Sequence, residues 1–214
     1  MTERARTSGA VAERDFAQIV TDEEIERAAR ALEANGIRAL VVETGADAKR
    51  ALLDLLPEGA QVHSGSSRTL EDIGVLDEIQ ESGRFEAVRP RLRAMDRETQ
   101  GDEIRRLGAS PDIMLGSVHA LTEQGELIIA SGSGSQLGPY VSGAGKVIWV
   151  IGAQKIVRDL DEGLRRVREH VFPLEDARLR QTMGYGSRLA KLLILNAERP
   201  GRATAIIVKE PLGF

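Results

Sequence analysis

Apolar residues recur at the helical interval behind Thr21-Asp22-Glu23-Glu24, where Ile25, Ala28, Ala29 and Leu32 share one face. Thr21 and Glu24 have the spacing of a capping box, in which each side chain accepts from the other's backbone N–H, and Asn35-Gly36 supplies the stop. The run Ile37 to Val42 is apolar at every position but Arg38, read as a parallel strand covered on both faces, and a helical segment from Ala46 to Leu56 follows. The pair predicts the opening of a βαβ unit. Beyond Pro57-Glu58-Gly59, a short strand over Ala60 to His63 leads through Ser64-Gly65-Ser66-Ser67 to another cap-like helix start at Thr69-Leu70-Glu71-Asp72.

The charged middle, roughly Glu78 to Leu107, reads as two helices around Arg89-Pro90, with Phe85 to Val88 as a short edge strand. Asp112 to Leu115, Leu127 to Ala130 and Lys146 to Ile151 read as strands, the last two separated by a glycine-rich stretch. Leu160, Leu164, Val167 and Val171 form one apolar face of a helix opened by Asp159, and a second helix is expected from Pro173 towards Leu189. Leu192 to Leu195 and Ala205 to Val208 are apolar runs split by the turn Glu198-Arg199-Pro200-Gly201, a pair able to add an antiparallel edge. Alternation of strands and helices predicts an α/β fold, a mostly parallel sheet with helices on both faces. Residues 1–10 are expected to be disordered and 11–214 to form one domain.

Composition narrows the partners. A hydrophobic fraction of 42% over 214 residues suits a single core, and a net charge of -4 without any basic block argues against nucleic acid. With no cysteine, the chain can hold no disulfide, iron–sulfur cluster or thiolate zinc site and offers no thiol nucleophile. The charged first twenty residues do not read as a secretory signal, and no apolar stretch approaches the roughly 20 residues of a membrane span, so a cytoplasmic location is expected. His63, His119 and His170 lack the i, i+4 pairing of a zincin-type site, and no metal is expected.

Candidate chemistry lies in three stretches. Ser131 to Gly138, with Ser133, Gly134, Ser135 and Gln136 at its centre, follows a strand and could turn amides and hydroxyls towards an anion. It lacks the Gly-Lys-Ser/Thr ending of a P-loop and misses the dinucleotide fingerprint by one residue; the competing reading is a flexible turn. Ser66, Ser67, Arg68 and Thr69 lie between a strand and a helix, where open α/β sheets present ligand-binding loops; a plain helix cap with an exposed arginine competes equally. His119 and Glu123 are candidates for acid/base or nucleophilic work, set against a hydrogen-bonded histidine and a solvated turn carboxylate. Lys155 would add positive charge near the glycine loop or lie on the surface, and His170, at a helix end, is read as structural.

Four ordered segments carry a family resemblance: Gly65-Ser66-Ser67-Arg68-Thr69-Leu70-Glu71-Asp72-Ile73-Gly74, Gly116 to Leu127, the glycine loop, and Val150-Ile151-Gly152-Ala153-Gln154-Lys155-Ile156-Val157. Their order and spacing resemble the LUD (lactate utilization) family over about Thr21 to Phe214. The resemblance implies a Rossmann-like three-layer fold of the NagB, ribose-5-phosphate isomerase and CoA-transferase type, with ligands at the carboxyl ends of strands. It also implies kinship with the C subunit of the bacterial lactate-oxidation system. A small anionic metabolite and iron–sulfur oxidoreductase subunits are the partners so implied; no cofactor is named, and a homodimer stays open. The chain departs from many relatives in having Val118 where they carry Asp or Asn, and in lacking cysteine around Thr182 to Ser187, so any cluster would belong to a partner. Two other readings stand beside this one. The first is a free-standing CoA-transferase-like or sugar-phosphate isomerase-like enzyme using Glu123 as its carboxylate; the second is a metabolite-sensing domain without catalysis. In either catalytic case His119 is expected to face the ligand cavity and Glu123 to lie at its rim.

Overall fold

The computed structural model describes residues 15–214; the disorder expected for 1–10 lies outside them. Helix α1 (Asp22–Ala34) begins as the capping box predicts: Thr21 N–H donates to Glu24 Oε2 at 2.8 Å and Glu24 N–H to Thr21 Oγ1 at 3.3 Å. Strand β1 (Arg38–Val42) and helix α2 (Gly45–Asp54), capped by Thr44, open the βαβ unit. Then follow β2 (Gln61–Ser64), α3 (Arg68–Asp72), capped by Ser67, α4 (Val75–Glu81), β3 (Glu86–Ala87), α5 (Val88–Ala94) and α6 (Gly101–Ala109). Pro90 is accommodated in the first turn of α5, where an intrahelical N–H is not needed. The chain continues through β4 (Ile113–Gly116), β5 (Ala120–Thr122) and β6 (Leu127–Ser131), then a π-helical turn at Pro139–Gly143 and β7 (Lys146–Gly152). A 3₁₀ turn at Ala153–Lys155, β8 (Ile156–Val157), α7 (Leu160–Arg166), α8 (Phe172–Met183), β9 (Lys191–Leu195) and β10 (Ala203–Val208) complete it.

Six strands form an all-parallel sheet in the order β1-β10-β7-β4-β2-β3. Alternation along β7 divides its side chains between two cores. Ile148 and Val150 meet α2, α3 and α4 through Leu52, Leu70 and Ile79 on one face. Val147, Trp149 and Ile151 meet α1 on the other through Ile25, Ala28 and Leu32. The layering is that of a Rossmann-like three-layer α/β fold.

Two strand expectations are corrected. Leu127 to Ala130 does not join the parallel sheet: β6 lies antiparallel between β5 and β9 in a second sheet ordered β8-β5-β6-β9. This sheet shares the second face with α1, since Leu121, Leu127 and Ile129 pack in the same core. The two C-terminal runs also do not pair with each other. β9 completes the small sheet, while β10 is inserted between β1 and β7. Finally, the two helices expected after Asp159 form a continuous helical run to Met183 with a π-helical turn at Val167–Val171. Pro173 offers no N–H and crowds the carbonyl four residues back, which the wider turn accommodates. Gly184, left-handed at φ 76°, stops the run before Leu189.

Candidate functional site

A cavity of about 810 Å³ opens beyond the carboxyl ends of β2, β4 and β7, the edge at which parallel sheets present ligands. Gly65 to Thr69 enter it after β2, Ser117 to His119 after β4, and Lys155 after β7. The loop after β6 closes one side, and α8 with the strap Tyr185 to Leu189 closes another.

Lys155 is held inside because the strand before it is buried on both faces, so the 3₁₀ turn that follows has no outward path to water. It is 2% exposed. Its Nζ donates to Thr69 Oγ1 at 2.8 Å and to Ser117 Oγ at 3.1 Å. Each hydroxyl has a carbonyl to donate to in turn, Leu212 O at 3.3 Å and Val118 O at 3.4 Å, and so is free to accept from the lysine. Among the described residues Lys155 has no carboxylate ion-pair partner. Burial, seconded by the charge of Arg166 and opposed by Asp72, pushes its ammonium down to about 7.

His119 is half-buried, and its Nδ1 accepts the Ala130 N–H at 3.0 Å. A neutral ring that accepts at Nδ1 carries its proton on Nε2, which makes His119 a donor. Burial, with the charges of Lys155 and Arg166 close by, lowers its pKa to about 3 and keeps it neutral near neutrality. Burial also raises the Tyr140 phenol, which lines the same cavity.

Charge is concentrated here. Arg68, Arg89, Arg93, Lys155, Arg178 and Arg188 line the cavity, against the carboxylates Glu71 and Glu175, in a chain whose net charge is -4. Arg68 pairs with Asp72 at 2.9 Å, Arg178 grips Glu175 through two bonds of 2.7 and 2.8 Å, and Arg89 Nη1 donates to Gly65 O at 3.0 Å. Phe172, Tyr185 and Phe214 add aromatic surface.

Of the residues singled out in the sequence, Ser66, Ser67, Arg68, Thr69, His119, Ser133, Ser135, Gln136 and Lys155 are brought together on this cavity. Gly134 and Glu123 are not among the lining residues. The glycine loop spends part of its polarity on itself: the Gly134 N–H donates to Ser131 Oγ at 2.8 Å and the Ser135 N–H to Ser133 Oγ at 3.3 Å. It therefore presents side chains more than an amide cradle. Glu123 Oε2 accepts from Arg27 Nε at 2.7 Å, and its N–H donates to Val157 O at 2.9 Å. Extended backbone advances about 3.3 Å per residue, so the four positions from His119 carry Glu123 roughly 13 Å away. The hairpin tip is fixed against α1, where Asn35 Nδ2 donates to Gln124 O at 2.9 Å. Gly125 permits this contact: its φ is 85°, and a Cβ there would fall 2.8 Å from the Ala31 carbonyl carbon. The β5–β6 connection thus folds towards α1 and not back over the glycine loop.

Sequence reasoning missed Arg89, Arg93, Arg178 and Arg188, which lie in segments read only as helices. Their convergence depends on helix placement, to which one-dimensional spacing gives no clue.

Comparison with known proteins agrees with this architecture. A crystal structure of a DUF162 family protein from Deinococcus radiodurans matches with a TM-score of 0.55 and 16% identity, covering 87% of this chain and 96% of that one. At that identity the likeness shows the fold. No curated protein matches. The family model of the LUD domain matches residues 25–208, nearly the whole of the α/β architecture from α1 to β10, and the chain belongs to the LUD domain family.

Proposed function

We propose that this LUD domain binds a small organic anion in the cavity and serves organic-acid utilization as the ligand-binding component of a cytoplasmic lactate-oxidising system. The observation that carries the reading is the gathering, among the described residues, of six cationic side chains against two carboxylates around about 810 Å³, a volume suited to a metabolite. Arginine forks match carboxylate and phosphate oxygens, and a lysine that has no carboxylate partner among the described residues gains a counter-ion when an anion enters. Electron transfer would fall to iron–sulfur partner subunits, since the chain has no cysteine with which to hold a cluster. A CoA-transferase-like reaction through Glu123 has less support, because Arg27 engages that carboxylate away from the cavity.

The test is a thermal-shift screen over lactate, pyruvate, CoA esters, sugar phosphates and inorganic phosphate. A ligand at about one hundred times its Kd stabilises the fold by about 2.7 kcal/mol. At least one anion should raise the melting temperature, and Arg188→Ala should weaken that response. A screen in which no anion acts would overturn the binding reading. Failure to co-purify with co-expressed iron–sulfur subunits would overturn the assembly.

A further inference from the structure

Lys155 is an amine kept in unusual company. Two hydroxyls, Thr69 Oγ1 and Ser117 Oγ, accept from Nζ, and no carboxylate pairs with it among the described residues. Hydroxyls are neutral acceptors that hold an amine in place whether or not it carries its third proton. A carboxylate would instead lock it as ammonium. The nitrogen therefore has one position uncommitted to a protein partner, on a side chain that lines the cavity. The arginines around that cavity favour a ligand bearing carboxylate or phosphate, and the His119 Nε2–H is a neutral donor on the same cavity.

We propose that Lys155 Nζ captures the carbonyl carbon of a small oxo-anion, a 2-oxo acid or a phosphorylated aldehyde or ketone, as an imine, a step that rests on the anion-binding reading of this cavity. The amine lone pair forms the C–N bond while the carbonyl π pair moves to oxygen, giving a carbinolamine once a proton passes from nitrogen to oxygen. Protonation and departure of that oxygen as water, with loss of the remaining N–H proton, leave the C=N bond. One amine and one carbonyl give one imine and one water, with no redox partner. Hydrolysis restores the lysine. The depression of the Lys155 ammonium to about 7 supports the step, since a large share of the side chain is then the nucleophilic free amine near neutrality.

The chain contains five lysines, so Lys49, Lys146, Lys191 and Lys209 are internal controls. The protein is incubated near neutrality with pyruvate and cyanoborohydride, and in parallel with formaldehyde, an uncharged carbonyl. Peptide mass spectrometry follows labelling at each lysine, and calorimetry with pyruvate and lactate measures binding separately. The expected result is labelling of Lys155 by pyruvate at least about tenfold faster than of any other lysine, with a smaller preference for formaldehyde. Lys155→Arg should lose the fast label, with labelling of the four control lysines unchanged. Anion binding without preferential labelling of Lys155 overturns the imine and leaves the binding reading standing. Absence of both binding and labelling overturns both, and equal preference for the two carbonyls overturns the claim that the captured carbonyl is anionic.

Discussion

Replacing Lys155 by Met should stabilise the fold in a way that fades as pH rises. Methionine has a similar unbranched length and no charge to desolvate. The Lys155 ammonium falls from the ordinary 10.5 to about 7 in the fold. Below about pH 7 both folded and unfolded chains hold the proton, and the fold bears the full cost of burying it. From about 7 to 10.5 only the unfolded chain holds it, so this group's contribution to stability rises with pH until neither state is charged. Each tenfold change in proton affinity corresponds to about 1.4 kcal/mol, which puts the full cost on the order of 5 kcal/mol. About 4 kcal/mol of it is still present near pH 7 and about 1 kcal/mol near pH 10. Urea unfolding of both proteins in phosphate-free buffer at these two pH values measures the difference. The variant also takes away the donor that the Thr69 and Ser117 hydroxyls accept from, but that offset is nearly independent of pH and cancels in the comparison. The stability gap between variant and parent should shift by about 3 kcal/mol in favour of the parent between the two pH values. A gap constant to within about 0.5 kcal/mol would refute the burial of a titrating lysine.

Other perturbations test the remaining parts. Glu123→Gln should cost no more than about 1 kcal/mol in urea unfolding, as expected for a partly exposed ion pair, and should leave the calorimetric affinity for any cavity anion unchanged. Arg202→Ala should cost about 3 to 5 kcal/mol. Arg202 is buried beside Glu198 and donates to Pro139 O at 2.9 Å, Tyr140 O at 3.0 Å and Ala144 O at 3.2 Å, so its loss strands the carbonyls of the π-helical turn. Gly116→Ala places a Cβ 1.6 Å from Tyr140 Oη, so the ring must swing; calorimetry should show altered anion affinity and melting curves a loss of about 1 to 3 kcal/mol.

The elements that sequence made legible are those whose signals are local. The Thr21/Glu24 box, the Asn35-Gly36 stop and the apolar run of β7 each encode their own structure, and the parallel sheet follows from the alternation of strands and helices; β1 forms where its run predicts, but at the sheet edge with Arg38 and Val41 exposed, not covered on both faces. The fate of β6 and β10 was not legible, because an apolar run says that a strand is buried but not which strand lies beside it. Site residues divide in the same way. Ser66 to Thr69 and Lys155 sit directly after strands of the parallel sheet, where position along the chain already implies position at its carboxyl edge. Glu123 was misplaced because the direction of a hairpin depends on what holds its tip, here Asn35 at the end of α1.

Among the described residues, strand β1 has one neighbour in its sheet, β10, with Arg38 opposite Thr204. The partner is therefore synthesised 166 residues later, which at about 5 to 20 residues per second means a wait on the order of 10 to 30 s on the ribosome. During that interval β1 and the apolar face of α1 have no completed sheet to cover, and their exposed surface is a substrate for chaperones and for pairing between nascent chains. Closure of the sheet is thus a late event in biosynthesis. Codon changes that slow translation between α2 and β9 should lower soluble yield without altering the mature protein.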